Sequence, residues 1–173
     1  MKRARRRAFV IAGAFLLCLG VLVAQGQALA STDPIGSAAL AGTTAVVNGG
    51  GNGTFDGVTA GSHFGFGVVL GPTVHGQFEC NMAGNSAFDG LHQMAVEGTV
   101  TSGTVNLATG TAIFRGPATL HVDGHTSAIA FQVEVHEGGP QVGTLHLTVF
   151  GSPFGPVFTF PLERVLTGGI SVH

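Results

Sequence analysis

The chain has 173 residues, 45% of them apolar, with 29 glycines, neither Trp nor Tyr, and a formal net charge of −2. Five of its seven basic residues lie among the first thirty positions, so loss of that segment leaves two arginines against nine carboxylates, a net charge near −7. An acidic, lysine-free surface of this kind repels phosphate backbones, which excludes nucleic acid and anionic membranes as expected partners.

Residues 1–30 have the three parts of an export signal. A basic start precedes an apolar stretch over residues 9–24, and Ala28-Leu29-Ala30 offers small residues to a peptidase. The apolar stretch is shorter than the roughly 20 residues of a stable membrane span. We therefore predict a signal peptide that is cleaved, no membrane span after cleavage, and a secreted or extracytoplasmic bacterial protein. General secretion is the favoured route, and the pair Arg6-Arg7 leaves twin-arginine export as the alternative.

The rest of the chain divides into a tether and one domain. Residues 31–45 are rich in Ala, Gly, Ser and Thr and lack a periodic pattern, which predicts a flexible linker. Residues 46–173 form a single domain by their length.

Apolar residues alternate along short runs of this domain, which places them on one face of successive β-strands. The predicted inward positions are, in chain order, Phe64, Phe66, Val68, Leu70; Phe78, Cys80, Met82; Met94, Val96, Val100; Phe114, Ala118, Leu120, Val122; Ile129, Phe131, Val133, Val135; Leu145, Leu147, Val149; Phe158, Phe160, Leu162; Ile170 and Val172.

Turn-forming residues separate these runs at fairly even spacing. They are Gly71-Pro72, Gly84-Asn85, Asp89-Gly90, Asp123-Gly124, residues 138–140 and residues 151–156. Even spacing of short strands predicts an all-β fold, a single antiparallel β-barrel or β-sandwich of about eight strands, with almost no helix outside the signal peptide.

One hairpin predicts a surface cluster. A two-residue turn at Asp123-Gly124 sets Arg115 diagonal to Glu134, and a longer loop sets the two directly opposite. The next hairpin places Glu134 beside His146. Both registers predict a weak surface cluster of Arg115, Glu134 and His146, in which each exposed pair contributes about 0.2–1 kcal/mol.

The reactive residue types are not arranged for catalysis or metal binding. Cys80, in phase with apolar neighbours, is predicted to be a buried thiol without an intrachain disulfide. His121, Asp123 and His125 surround a predicted turn and do not converge as the ligands of a metal would. Ser62 and His63 point to opposite faces of a strand, so they are not a nucleophile and base. We predict no catalytic residue, no cofactor and no metal.

The glycine run at residues 49–53 predicts a strand or bulge. No Gly-Lys-Ser/Thr sequence or helix start follows it, so a phosphate-binding loop is not expected.

Seven motifs follow one another across the domain: Val47-Asn48-Gly49-Gly50-Gly51, His63-Phe64-Gly65-Phe66-Gly67-Val68, Gly76-Gln77-Phe78-Glu79, Gly98-Thr99-Val100-Thr101-Ser102, Thr111-Ala112-Ile113-Phe114-Arg115-Gly116, Phe131-Gln132-Val133-Glu134-Val135, and Leu166-Thr167-Gly168-Gly169-Ile170-Ser171-Val172-His173. In their order and spacing they resemble the post-COAP domain of secreted bacterial proteins. The resemblance implies a small β-domain, often appended to larger extracellular proteins, without an established activity. The chain lacks the cysteine pair of many relatives and has Gly143-Thr144-Leu145 in place of their Asp-x-Phe stretch.

The sequence thus predicts a secreted, non-catalytic β-domain protein with a structural or interaction role at the cell envelope or outside the cell, toward an unknown partner. The alternative is a small β-barrel whose Phe- and Val-lined interior binds an apolar small molecule. Carboxylate spacing leaves an unrecognised hydrolase open as a third hypothesis.

Overall fold

A computed structural model describes residues 44–83 and 93–173, and within these ranges the protein consists of ten β-strands without a helix. The strands are β1 (Ala45–Thr54), β2 (Ser62–Leu70), β3 (His75–Ala83), β4 (Gln93–Val100), β5 (Ser102–Asn106), β6 (Thr111–Val122), β7 (His125–His136), β8 (Thr144–Ser152), β9 (Gly155–Thr159) and β10 (Glu163–Val172). The all-β prediction is confirmed. The first strand begins one residue before the predicted boundary at residue 46. The predicted signal peptide, most of the predicted linker, and the turns at Gly84-Asn85 and Asp89-Gly90 lie outside the described residues.

All strands belong to one antiparallel sheet in the order β10-β1-β2-β3-β4-β6-β7-β8-β9. β5 pairs with the first half of β6 and β4 with its second half, so β4 and β5 together fill one position in the sheet. β10 also pairs with β8, and the sheet therefore nearly closes into a ring. Of the two predicted architectures, barrel and sandwich, the structure has the barrel, because one single sheet rolls up until its β10 meets β8. Within the described ranges, no helix is long and apolar enough to cross a bilayer.

The alternation of side chains matches the prediction over most strands. Phe66, Phe131 and Leu147 are 8%, 1% and 1% exposed, and Cys80 is a fully buried free thiol, as expected. Leu162 is the clear exception: the alternation predicts that it points inward with Phe160, but it is 48% exposed. The chain between β9 and β10 is not in strand conformation, so the inward phase restarts at residue 163.

Four phenylalanines fill the middle of the ring. The Phe114 ring lies 5.3 Å from that of Phe66, 6.1 Å from that of Phe78 and 6.5 Å from that of Phe131, between ring centroids. Phe78 and Phe131 stack at 5.2 Å. Tilted and stacked rings at these separations attract one another beyond the burial of their area, so side chains of four different strands form one aromatic core.

The β6–β7 hairpin has the predicted two-residue turn. Asp123 and Gly124 have φ values of 45° and 84°, the left-handed pair that a type I′ turn requires. Twelve positions pair along the hairpin, and Arg115 lies opposite Gln132 as predicted for this turn. The turn residues therefore set the longest register in the sheet.

Asp56 organises the β1–β2 loop. Its Oδ1 atom accepts hydrogen bonds from the amides of Thr59 (2.7 Å) and Val58 (2.8 Å) and from the hydroxyl of Thr54 (2.9 Å). These donors, the Thr59 amide above all, hold the pKa of Asp56 well below its usual value. The ionised side chain thus fixes the loop next to the end of β1.

Gly116 allows β6 to pass close to the junction of β4 and β5. The Thr101 amide donates to the Arg115 carbonyl at 2.9 Å, and a Cβ on Gly116 would overlap the Thr99 carbonyl oxygen.

We expect Gly116→Ala to lower the free energy of unfolding by about 1–3 kcal/mol, the usual cost of overpacking. The matched change Gly65→Ala meets no atom within 4 Å and should stay within about 0.5 kcal/mol of the native protein. Urea unfolding of both variants measures this, and equal effects would show that the close approach at Gly116 is unimportant.

Candidate functional site

The place where the sheet meets itself is the least regular part of its wall. β10 pairs with β8 at Glu163–Leu145 and Arg164–Thr144, here called the closing pairs. Beyond them β10 contacts the connection between β7 and β8: the Val165 carbonyl accepts a hydrogen bond from the Gln141 amide, and the Val165 amide donates one to the Gly143 carbonyl, both at 2.8 Å. An isolated bridge at 3.0 Å then joins Gly138 to Ile170. We call this line of contacts, from residue 163 to residue 170 of β10, the seam.

A groove of about 790 Å³ opens along the seam, between the β1–β10 pair and the β7–β8 connection. Phe66 and Ile170, which are 8% and 6% exposed, are the apolar side chains of its buried lining and are here called its base, and the exposed Val142 forms part of one side. This seam groove has the volume of a small-molecule or peptide-side-chain site, and its base is apolar.

Glycines make the seam groove possible. A Cβ on Gly49 would overlap the ring of Phe66, so the ring can lie directly on the β1 backbone. Gly50 and Gly169 also line the groove, but a Cβ there would meet nothing closer than 3.8 Å and 3.5 Å. Larger residues at these two positions could therefore fill the groove without disturbing the sheet.

Polar groups border the seam groove. Asn48 and Ser171 line it from β1 and β10, and His136 and Glu137 line it from the end of β7. The Nδ1 atom of His136 lies 2.9 Å from the Glu137 carbonyl oxygen. The groove thus combines an apolar base with groups that can donate or accept hydrogen bonds at its edge.

A second, polar cluster lies inside the barrel at the start of the seam. Glu163 and Ser62 are each 2% exposed, and they flank Gly53 of β1 from the two neighbouring strands. A Cβ on Gly53 would lie 2.8 Å from Ser62 Oγ and 3.0 Å from Glu163 Oε1, so glycine leaves the room that both side chains occupy. Among the described residues neither carboxyl oxygen of Glu163 nor the Ser62 hydroxyl has a hydrogen-bond partner.

The surroundings of Glu163 favour its neutral form. Burial raises its pKa from 4.5 to about 7, and the neighbouring Ser62 hydroxyl, which is not hydrogen-bonded to the carboxyl group, offsets only part of that rise. Cys80 lies close enough to Glu163 to interact with its charge, and burial together with that charge raises the pKa of the thiol far above its usual value. Ser62, Glu163 and Cys80 therefore form a buried cluster that carries no charge below neutral pH.

An outer-face groove of about 560 Å³ lies across β2, β3 and β4. Glu79 and Glu97 are directly opposite each other there, with Gly65 beside Glu79 on β2. Like charges at paired positions repel, so the two carboxylates give this groove an acidic surface, and Phe66 and Phe78 line it as well.

The structure places the predicted surface cluster in the expected register. Glu134 is paired with His146, and Arg115 is diagonal to Glu134 through its pairing with Gln132. Arg115 and Glu134 are exposed and His146 is half-buried. That these three side chains interact as a cluster stays a prediction.

The histidines are dispersed. The Nδ1 atom of His121 lies 3.1 Å from the Thr126 hydroxyl. The Asp123 carboxylate instead accepts a hydrogen bond from the backbone N–H of Gln93 at 2.9 Å. In the part of the chain that the structure describes, no three His, Cys, Asp or Glu side chains come together as metal ligands. Ser62 is buried and His63 exposed, so the two point apart as predicted.

No protein-family model, no curated protein and no solved structure matches this chain. The resemblance to the post-COAP domain therefore stays an expectation that rests on its motifs.

The seam groove and Glu163 were not predicted from the sequence. One sequence signal was available for Glu163: it alternates in phase with Val165, which places it on the inward face of β10.

Proposed function

We propose that this protein is a secreted, non-catalytic binding domain that acts at the cell envelope or outside the cell and holds its partner in the seam groove. The observation that carries this proposal is the groove itself, about 790 Å³ of open space with Phe66 and Ile170 at its base. The export-signal pattern of residues 1–30 supports the location.

Burial of the reactive groups supports binding rather than hydrolysis. The Ser62 hydroxyl and the Cys80 thiol are 2% and 0% exposed, so a substrate cannot reach them in this conformation. Raised pKa values keep Glu163 protonated below neutral pH and Cys80 unreactive, since the thiolate is the nucleophilic form.

The groove supports a partner that has an apolar portion flanked by hydrogen-bonding groups. Phe66 and Ile170 offer apolar area, and Asn48, Ser171 and His136 offer polar contacts at the edge. An apolar small molecule is the second candidate, because the same base would bury it. The four rings of the aromatic core pack against one another inside the barrel. This packing favours the seam groove, and not the barrel interior, as the place where such a molecule would bind.

Substitutions that fill the groove test this proposal. Gly50→Gln and Gly169→Gln add side chains where a Cβ fits, and Gly65→Gln is the matched control on the outer-face groove. We expect the neutral dye Nile red to bind the native protein and the control equally, and about tenfold more weakly to the two groove variants, a loss of about 1.4 kcal/mol. Native mass spectrometry of each protein, recovered from its own culture medium, should show the same pattern for any bound ligand. Equal dye binding by all four proteins would contradict the seam groove as the binding site.

A further inference from the structure

Glu163 lies at the weakest junction of the ring. In the described chain β10 meets β8 at the two closing pairs, whereas it meets β1 at eight positions, and β6 meets β7 at twelve. Val165, two residues after Glu163, is held by the β7–β8 connection through Gln141 and Gly143. A force that moves residue 163 outward therefore acts on a small number of backbone hydrogen bonds.

No charged group among residues 44–83 and 93–173 balances the Glu163 carboxyl group. Among the described residues, Gly53 of β1 has no side chain, Ser62 of β2 and Cys80 of β3 are neutral, and β8 supplies an apolar leucine. Arg164 follows in sequence but is exposed on the outer face. An ionised carboxylate here would bear the full cost of burial without a compensating partner.

The nearest relief for such a charge is along the seam. Glu163 belongs to one of the closing pairs, so outward movement of this residue separates those pairs first, and the Gln141, Gly143 and Val165 contacts come next in line. Val142, between two of these residues, lines the seam groove. Separation of the seam would therefore widen the groove from the end at which Glu163 lies.

We infer that Glu163 is a proton-operated latch: protonated, it lets β10 close on β8, and after losing its proton to solvent it moves outward, separates the closing pairs and widens the seam groove. This inference rests on the proposed function in one respect, that the groove is where a partner binds. Burial raises the pKa of Glu163 from 4.5 to about 7, so the free energy that favours the open state builds up between these two pH values. Glu79, on the outer face of β3, adds negative charge to the surroundings of Cys80 and supplies no counter-ion.

Amide hydrogen exchange at pH 4.5 and pH 8.5, corrected for intrinsic rates, tests the latch. The reporters are the amides of Val165 and Gln141, compared with those of the β6–β7 hairpin. In the native protein, protection of the two reporters should fall at least tenfold on going to pH 8.5 and should then be at least tenfold below that of the hairpin. In Glu163→Gln, which cannot ionise, reporter protection should change less than threefold.

Two results would overturn the latch. One is an equal fall in Glu163→Gln. The other is reporter protection equal to that of the hairpin at pH 8.5, because exchange would then occur by global unfolding.

Nile red binding separates failure of the latch from failure of the proposed function. If the latch operates on the binding site, dye affinity should change at least threefold between pH 4.5 and pH 8.5 in the native protein and stay constant in Glu163→Gln. Binding that Gly50→Gln weakens but that is constant with pH would refute coupling of the latch to the groove and leave the proposed function intact. Binding that Gly50→Gln does not weaken would refute the proposed function, while the exchange result would still decide whether the seam opens.

Discussion

Glu163→Gln is expected to unfold with a free energy about 3 kcal/mol higher than that of the native protein at pH 8, and with a similar free energy at pH 4.5. The reason is the buried carboxyl group: its pKa is about 7 in the folded protein and 4.5 when exposed. Between these two values the folded state holds a proton that the unfolded state has released. Stability of the native protein therefore decreases as pH rises from about 4.5 to about 7 and levels off above that range.

The size of this effect follows from the difference between the two pKa values, since each pKa unit corresponds to about 1.4 kcal/mol. Glutamine has nearly the same shape and cannot ionise, so it should remove most of this pH dependence. Urea unfolding curves of both proteins between pH 4.5 and pH 8.5 measure the difference. Parallel stability profiles for the two proteins would show that Glu163 is either exposed or partnered in solution.

Phe114→Ala is expected to lower the free energy of unfolding by about 3–5 kcal/mol. The Phe114 side chain is fully buried, and its ring contacts three other rings that come from β2, β3 and β7. Removal of the ring leaves a cavity that strands held in a closed sheet cannot collapse to fill. A change of such size approaches the whole stability of a domain, so urea unfolding should be followed at low temperature.

The matched control is Val157→Ala on β9, because Val157 is 60% exposed. It should change the free energy of unfolding by less than about 0.5 kcal/mol. Similar losses in the two variants would contradict an aromatic centre made by Phe114.

The fold was predictable because local signals agree with the global arrangement. Strict alternation in β2 and β7 placed Phe66 and Phe131 inside, and Asp123-Gly124 fixed the type I′ turn and with it the register of the longest hairpin. The error at Leu162 has a physical cause. Period-2 alternation holds only within one strand, and the break before β10 restarts it.

The candidate site was not predictable by the same means. The seam groove joins β1, β2, β10 and the β7–β8 connection, which are far apart in sequence, and much of it is lined by glycines such as Gly50 and Gly169, which carry no side-chain signal. Glu163 could be assigned an inward phase from the sequence, but its missing partner depends on which strands lie beside it. Both features arise from how the sheet closes, and that is a tertiary property.

Nuclear Overhauser contacts across β10 at pH 4.5, where Glu163 is protonated in the folded protein, test most directly whether the sheet rolls up and meets itself. We expect contacts on both sides of this strand: Val172 with Val47 of β1, and residue 163 with Leu145 of β8. Contacts from β10 to β1 alone, without contacts from β10 to β8, would mean that the sheet is open. The seam, the seam groove and the burial of Glu163 would then all be contradicted.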